Sequence, residues 1–169
     1  SSDILVLDHA GFTEPGEVVA VRRSISPSTE ISTLGHNRVV SIYARSDSLK
    51  TSSFQFALVQ SDGNAYGIDV PVLPEWREIC VPLNGFRPLW STTAKKPVIG
   101  KIESFQCAMG TWNLDVRACE RHVVEIRRIQ LLGESNAWRT KILRSDDEIP
   151  LFDASWDMPY AQGHVLCRQ

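Results

Sequence analysis

The chain is 169 residues long, the size of one domain or of one domain with an extension. Lys and Arg number 18 against 20 Asp and Glu, a formal net charge of -2, and nucleic-acid binders usually show a basic excess instead. With 43% hydrophobic residues spread along the whole length, neither a disordered chain nor one with a membrane span of ~20 apolar residues fits.

The sequence opens Ser1-Ser2-Asp3, without Met and without the basic and apolar regions of a signal peptide. It reads as a piece, either a mature protein or a domain cut from something longer. The cysteines are Cys80, Cys107, Cys119 and Cys167, and they form no CxxC pair, so the common zinc and thioredoxin-like spacings are missing. Cys80 and Cys107 sit in strand-like stretches, where a buried free thiol behaves as a small hydrophobe. A disulfide such as Cys107 to Cys119 is the alternative.

Taken in order, the periodicity is mostly two. Ile4-Leu5-Val6-Leu7 is a short apolar run ending at Asp8. Glu17 to Ile25 reads as a Val-rich strand with Arg22-Arg23 near its end. From Arg38 to Arg45, Val40, Ile42 and Ala44 point one way and Ser41, Tyr43 and Arg45 the other. Phe54, Phe56 and Leu58 alternate with Gln55, Ala57 and Val59. Ser61-Asp62-Gly63-Asn64 is a turn that makes a hairpin with Ala65–Val70. After Pro71 and Pro74, Trp76 to Leu83 is a strand, and Asn84-Gly85 a turn. Phe86 to Gly100 reads as a long loop. Lys101 to Met109 is a strand with Ile102, Ser104, Gln106 and Ala108 on one face and Phe105, Cys107 and Met109 on the other. Gly110 to Arg121 is a loop, and His122 to Leu132 the last clear strand. Ala137 to Leu143 has room for a turn or two of helix. Ile149-Pro150-Leu151-Phe152-Asp153 then repeats the pattern of Ile4 to Asp8, either as the start of a second copy or as a strand closing the first.

About eight antiparallel strands divided by Gly, Pro and Asn turns predict an all-β, two-layer jelly-roll β-sandwich over residues 3–132, with a C-terminal extension over 133–169. The segments Phe54–Tyr66, Trp76–Phe86, Lys101–Phe105 and Val123–Leu132 resemble a non-catalytic carbohydrate-binding jelly roll. That fold is similar to the galactose-binding-like sandwiches attached to polysaccharide-degrading enzymes, and also to the complex I intermediate-associated domain. The matching steps are Trp76, Pro82, Phe86, Ile126, Ile129 and Leu131. The resemblance implies a secreted, periplasmic or cell-surface module that binds polysaccharide or oligosaccharide beside a catalytic domain of the same parent protein. Many members place an Asp or Asn before the last Ile-x-Leu step, tied to structural calcium. Here that region is Glu125-Ile126-Arg127-Arg128-Ile129, and Asp8 and Glu17 alone fall far short of the 6–8 oxygens calcium takes. No cofactor is expected, with structural calcium, to which Asp8 and Glu17 could supply oxygens, as the alternative.

A sugar site needs aromatic faces beside directional polar groups. Trp90 and Trp112 lie in loops, where core packing explains them less easily. Tyr43, Arg45, Gln55, Gln106 and Arg127 occupy polar strand positions that form one binding face if their strands are neighbours. Trp76 starts a strand among charged residues and reads as a packing residue. Catalysis has little support: there is no G-x-S-x-G, H-E-x-x-H, P-loop or G-x-G-x-x-G. The carboxylates Asp115 with Glu120, or Asp146-Asp147-Glu148, keep a small glycan hydrolase open as an alternative, and a structural or protein-interaction sandwich is another.

Overall fold

In a computed structural model of the protein, the described residues are 4–30, 38–90, 101–114, 120–132 and 149–153. They form ten strands: β1 (Leu5–His9), β2 (Val18–Glu30), β3 (Val39–Ser46), β4 (Ser53–Gln60), β5 (Ala65–Pro71), β6 (Arg77–Pro82), β7 (Arg87–Trp90), β8 (Lys101–Gly110), β9 (His122–Leu132) and β10 (Ile149–Asp153). One 3-10 turn, Leu83–Gly85, links β6 to β7. Every pairing is antiparallel. The first sheet runs β1-β9-β3-β6, with β10 also on β9, and the second runs β2-β8-β4-β5-β7. The expected all-β sandwich is therefore the fold.

The alternation seen in the sequence sets which side chains meet between the sheets. Leu5, Leu7, Val40, Ile42, Ala44, Val81, Val124, Ile126, Ile129 and Leu131 of the first sheet pack against Phe54, Phe56, Leu58, Tyr66, Val70, Phe105, Cys107 and Met109 of the second. Phe56 lies at the centre, stacked against Phe105 and edge-on to Phe86. Burial pushes the Cys107 thiol pKa far up, so it stays protonated. Neither Cys80 nor Cys107 is in a disulfide, which removes the Cys107–Cys119 pairing.

Three departures from the expected elements have local causes. The stretch read as a loop after Phe86 contains β7, whose Pro88 pairs with Tyr66 at the edge of the second sheet. An edge strand tolerates a residue without an N–H. In β8, a register shift between the Ser104 and Ile102 pairings brings Ile102 into the core with Phe105, Cys107 and Met109, rather than onto the outer face with Ser104 and Gln106. Finally, β10 pairs with Arg128–Leu131 of β9 while β1 pairs with His122–Ile126. The two look-alike segments thus lie end to end along one edge of β9, and the extension contributes a strand to the first sheet. Ala137 to Leu143 lies outside the described residues.

Candidate functional site

The outer face of the second sheet is built in rows of directly opposed residues. One row is Ala20, Ala108, Gln55 and Asp69. The next is Arg22, Gln106, Ala57, Gly67 and Arg87. The third begins Ser24, Ser104, Val59 and Ala65. Ala57, Ala65 and Ala108 are at most 2% exposed although they point away from the core, so the middle of this face is covered rather than open. Gly67 is part of the reason. A side chain there would strike the Phe56 carbonyl and come 2.7 Å from Leu89 Cδ1, so only glycine allows β5 to lie against β4 as it does.

Polar groups border this stretch. Gln106 Oε1 accepts from Arg22 Nε (3.1 Å) and its terminal nitrogen (2.9 Å), which leaves the Gln106 amide nitrogen as an outward donor. Arg87 donates to Asp69 Oδ2 at 3.2 Å, and Asp69 Oδ1 has no hydrogen-bond partner. Gln55 lies between Ala108 and Asp69, half-buried.

Trp112 closes one end. The turn after β8 holds it from three sides: Gly110 N donates to Asn113 Oδ1 (2.9 Å), Ser53 Oγ to the Asn113 carbonyl (2.9 Å), and Gly16 N to Thr111 Oγ1 (3.0 Å). The six-membered ring of Trp112 fills the space that a Cβ on Gly110 would take. Gly110 opposes Val18 in the row next to Ala20 and Ala108, so the indole rests at the end of the outer face. It remains 48% exposed, an unusual state for a tryptophan this firmly seated.

Tyr43, Arg45 and Arg127 lie on the outer face of the first sheet, across the core from Gln55 and Gln106. The single polar face expected from the sequence is therefore two faces on opposite sides. β3 neighbours β9, and β4 neighbours β8, but no strand joins the pairs. On the first sheet, the Tyr43 and Trp76 rings stack at 5.4 Å, and Arg127 and Arg45 stand 4.3 Å and 5.0 Å from the Trp76 centroid. Trp76 packs as expected, but on the outer face and not in the core. Of Trp90, the backbone pairs with Ala65 in β7.

Arg22, Asp69 and Arg87 were not singled out by the sequence. Arg22 follows a Val-rich stretch, and Arg87 lies in the segment read as a loop. Among the described residues, no group of three or more His, Cys, Asp or Glu could hold a metal ion. Asp8 is paired with Arg121, whose hydrogen bond holds its pKa below the usual value. Glu17 accepts from the backbone and hydroxyl of Thr13, which likewise lowers its pKa. Asp115 and Asp146 to Glu148 lie outside the described residues. Among the described residues, no helix is long and apolar enough to cross a membrane.

No family model matches the chain, and no curated protein does. Solved structures do. An agarase, AgWH50C, is 12% identical with a TM-score of 0.52, over 73% of this chain and 21% of its own. An exo-beta-agarase is 9% identical with a TM-score of 0.50, over 78% of this chain and 22% of its own. The family 11 carbohydrate-binding module of the cellulosomal cellulase Lic26A-Cel5E of Clostridium thermocellum is 14% identical with a TM-score of 0.49, over 78% of this chain and 82% of its own. What the two agarases share with this chain is the fold. The chain spans about a fifth of the two agarases.

Proposed function

We propose that the protein is a non-catalytic carbohydrate-binding module that holds a polysaccharide on the outer face of the second sheet. The observation that carries this reading is the half-exposed Trp112, seated on Gly110 at the end of the outer face of the second sheet. The indole offers a flat apolar surface to one sugar ring. Beside it the Gln106 amide, Gln55 and Arg87 supply directional partners for hydroxyls. The likeness to a part of an agarase supports the same reading, because it sets this fold within an enzyme that acts on a polysaccharide.

A module of this kind raises the effective concentration of polymer near a catalytic domain tethered to it. The parent is then a larger extracellular or cell-surface protein. Affinity electrophoresis through gels loaded with agarose, mixed-linkage glucan, cellulose derivatives or galactan tests the reading. Retardation by one neutral polymer, reduced in Trp112→Ala and in Gln55→Ala with Gln106→Ala, is the expected result. Retardation by none of them overturns it.

A further inference from the structure

The opposite face has chemistry that the surface around Trp112 does not use. Ile126 and Ile129 both enter the core, which leaves two residues between them where a regular strand has an odd number. The register of β9 against β3 shifts there: Tyr43 opposes Arg128 and Ala44 opposes Ile126, so Arg127 is an extra residue. This β-bulge turns both arginines outward. Arg128 stands 5.6 Å from the Tyr43 ring, and Arg127 lies over Trp76. Without the bulge, one guanidinium would point into the sandwich.

The charges of this face are not equally engaged. Arg128 pairs with Glu78 at 3.5 Å, both largely buried, and Ser41 also donates to Glu78. Arg45 meets Glu125 through Nε, and its terminal nitrogens have no acceptor among the described residues. Arg127 has no carboxylate partner among the described residues. Arg45 and Arg127 both stack on one indole, at 5.0 Å and 4.3 Å from its centroid, so they are no further apart than the sum of those distances. Two guanidinium groups with open donors thus border one indole on a half-exposed surface, no more than about 9 Å apart. That arrangement fits a carboxylate or sulfate, which takes paired N–H donors.

We propose that the outer face of the first sheet is a second binding surface, for glycans bearing carboxylate or sulfate groups, in which Arg45 and Arg127 each pair with an anionic group of the glycan. Trp76 is a positioning residue that fixes the two guanidinium groups by cation–π contact. The neighbouring Glu78 and Glu125 set the occupant. A densely charged polymer such as a nucleic acid, with a charge about every 1.7 Å of duplex, brings phosphates against those carboxylates. A glycan with separated charges does not. This surface shares no residue with the one around Trp112.

The test is binding of the intact chain to polygalacturonate, a dextran sulfate with fewer than one sulfate per glucose, and neutral dextran at two salt concentrations. Wild type binds polygalacturonate, dextran sulfate or both, more weakly at higher salt, and ignores dextran; which polymer binds distinguishes carboxylate from sulfate. Arg127→Gln, which breaks no ion pair, lowers that affinity about tenfold, and Arg45→Gln with Arg127→Gln abolishes it. Trp76→Ala weakens binding and Trp76→Phe restores part of it. Trp112→Ala leaves it unchanged, so loss of the neutral-glycan reading and loss of this one are separable. The proposal is overturned if neither anionic polymer binds, if Arg127→Gln binds as wild type does, if Arg23→Gln weakens binding equally, or if poly-glutamate binds as tightly as the glycan.

Discussion

Gly110→Ala is the sharpest probe of the seat beneath Trp112. Gly110 is not among the glycines with positive φ, so backbone strain is not the issue. The new methyl takes space now filled by the indole, and the ring has to leave. A large aromatic covers roughly 150–250 Å² in full contact, so a sugar stacked on a ring left half-open covers on the order of 100 Å². At about 25 cal/mol per Å² that gives ~2.5 kcal/mol. Ordering the ligand and side chain offsets about 1 kcal/mol, leaving about 1.5 kcal/mol, or a tenfold change in Kd. Trp112→Ala and Gly110→Ala should therefore weaken binding to a similar extent, although the second variant keeps the tryptophan. The stability of Gly110→Ala to thermal unfolding should also fall, by up to about 2 kcal/mol, because the displaced ring loses the burial of its seated half. Calorimetric titration of the retained polymer against the three proteins measures all of this. If Gly110→Ala binds like wild type while Trp112→Ala does not, the seat does not set the ring's position. If both bind like wild type, Trp112 is not the platform.

Phe56→Ala empties the centre of the core and should destabilise the fold by about 3–5 kcal/mol, seen as a Tm lower by roughly 6–20 °C in calorimetry. Gly67→Ala should be worse than its single methyl suggests, because the clash is with the β4 backbone rather than with a movable side chain; hydrogen exchange should show β5 and β7 loosened before the rest. The Cys107 thiol, fully buried and with its pKa raised, should resist alkylation in the native state and react only on unfolding, as mass spectrometry would report. The Asp8–Arg121 pair lowers the folded-state pKa of Asp8 below its ordinary 3.8, so its contribution is fully present at neutral pH and is lost as pH falls through that lowered value. An acid titration comparing wild type with Asp8→Asn should show the two converging only below about pH 4.

The layer structure was legible because β3, β4 and β9 each bury every second residue, and Val40, Ile42, Phe54, Phe56, Val124 and Ile126 mark the buried side directly. Alternation says in or out but not which sheet. That is why Tyr43 and Arg127 looked interchangeable with Gln55 and Gln106, although the core separates them. The site chemistry was partly readable: Trp112 stood out as a loop aromatic, but its seat depends on Gly110, two residues before it, and on contacts from Gly16 and Ser53. Arg87 was hidden because Pro88 reads as a loop residue, when it occupies an edge strand. The β9 bulge did leave a trace. Ile126 and Ile129, three apart and both apolar, cannot share a face of a regular strand.

The break in β9 lies at the junction of two other discontinuities. β1 ends its pairing at Ile126 and β10 begins at Arg128, so Arg127 has no cross-strand partner on either side. Its neighbours are tied on both edges. The longest-protected strand of the sandwich thus contains a single soft point, and deuterium should enter β9 at Arg127 while the amides around it remain closed. An anion held by that side chain would slow this one amide, which makes Arg127 a reporter of occupancy readable residue by residue without any label.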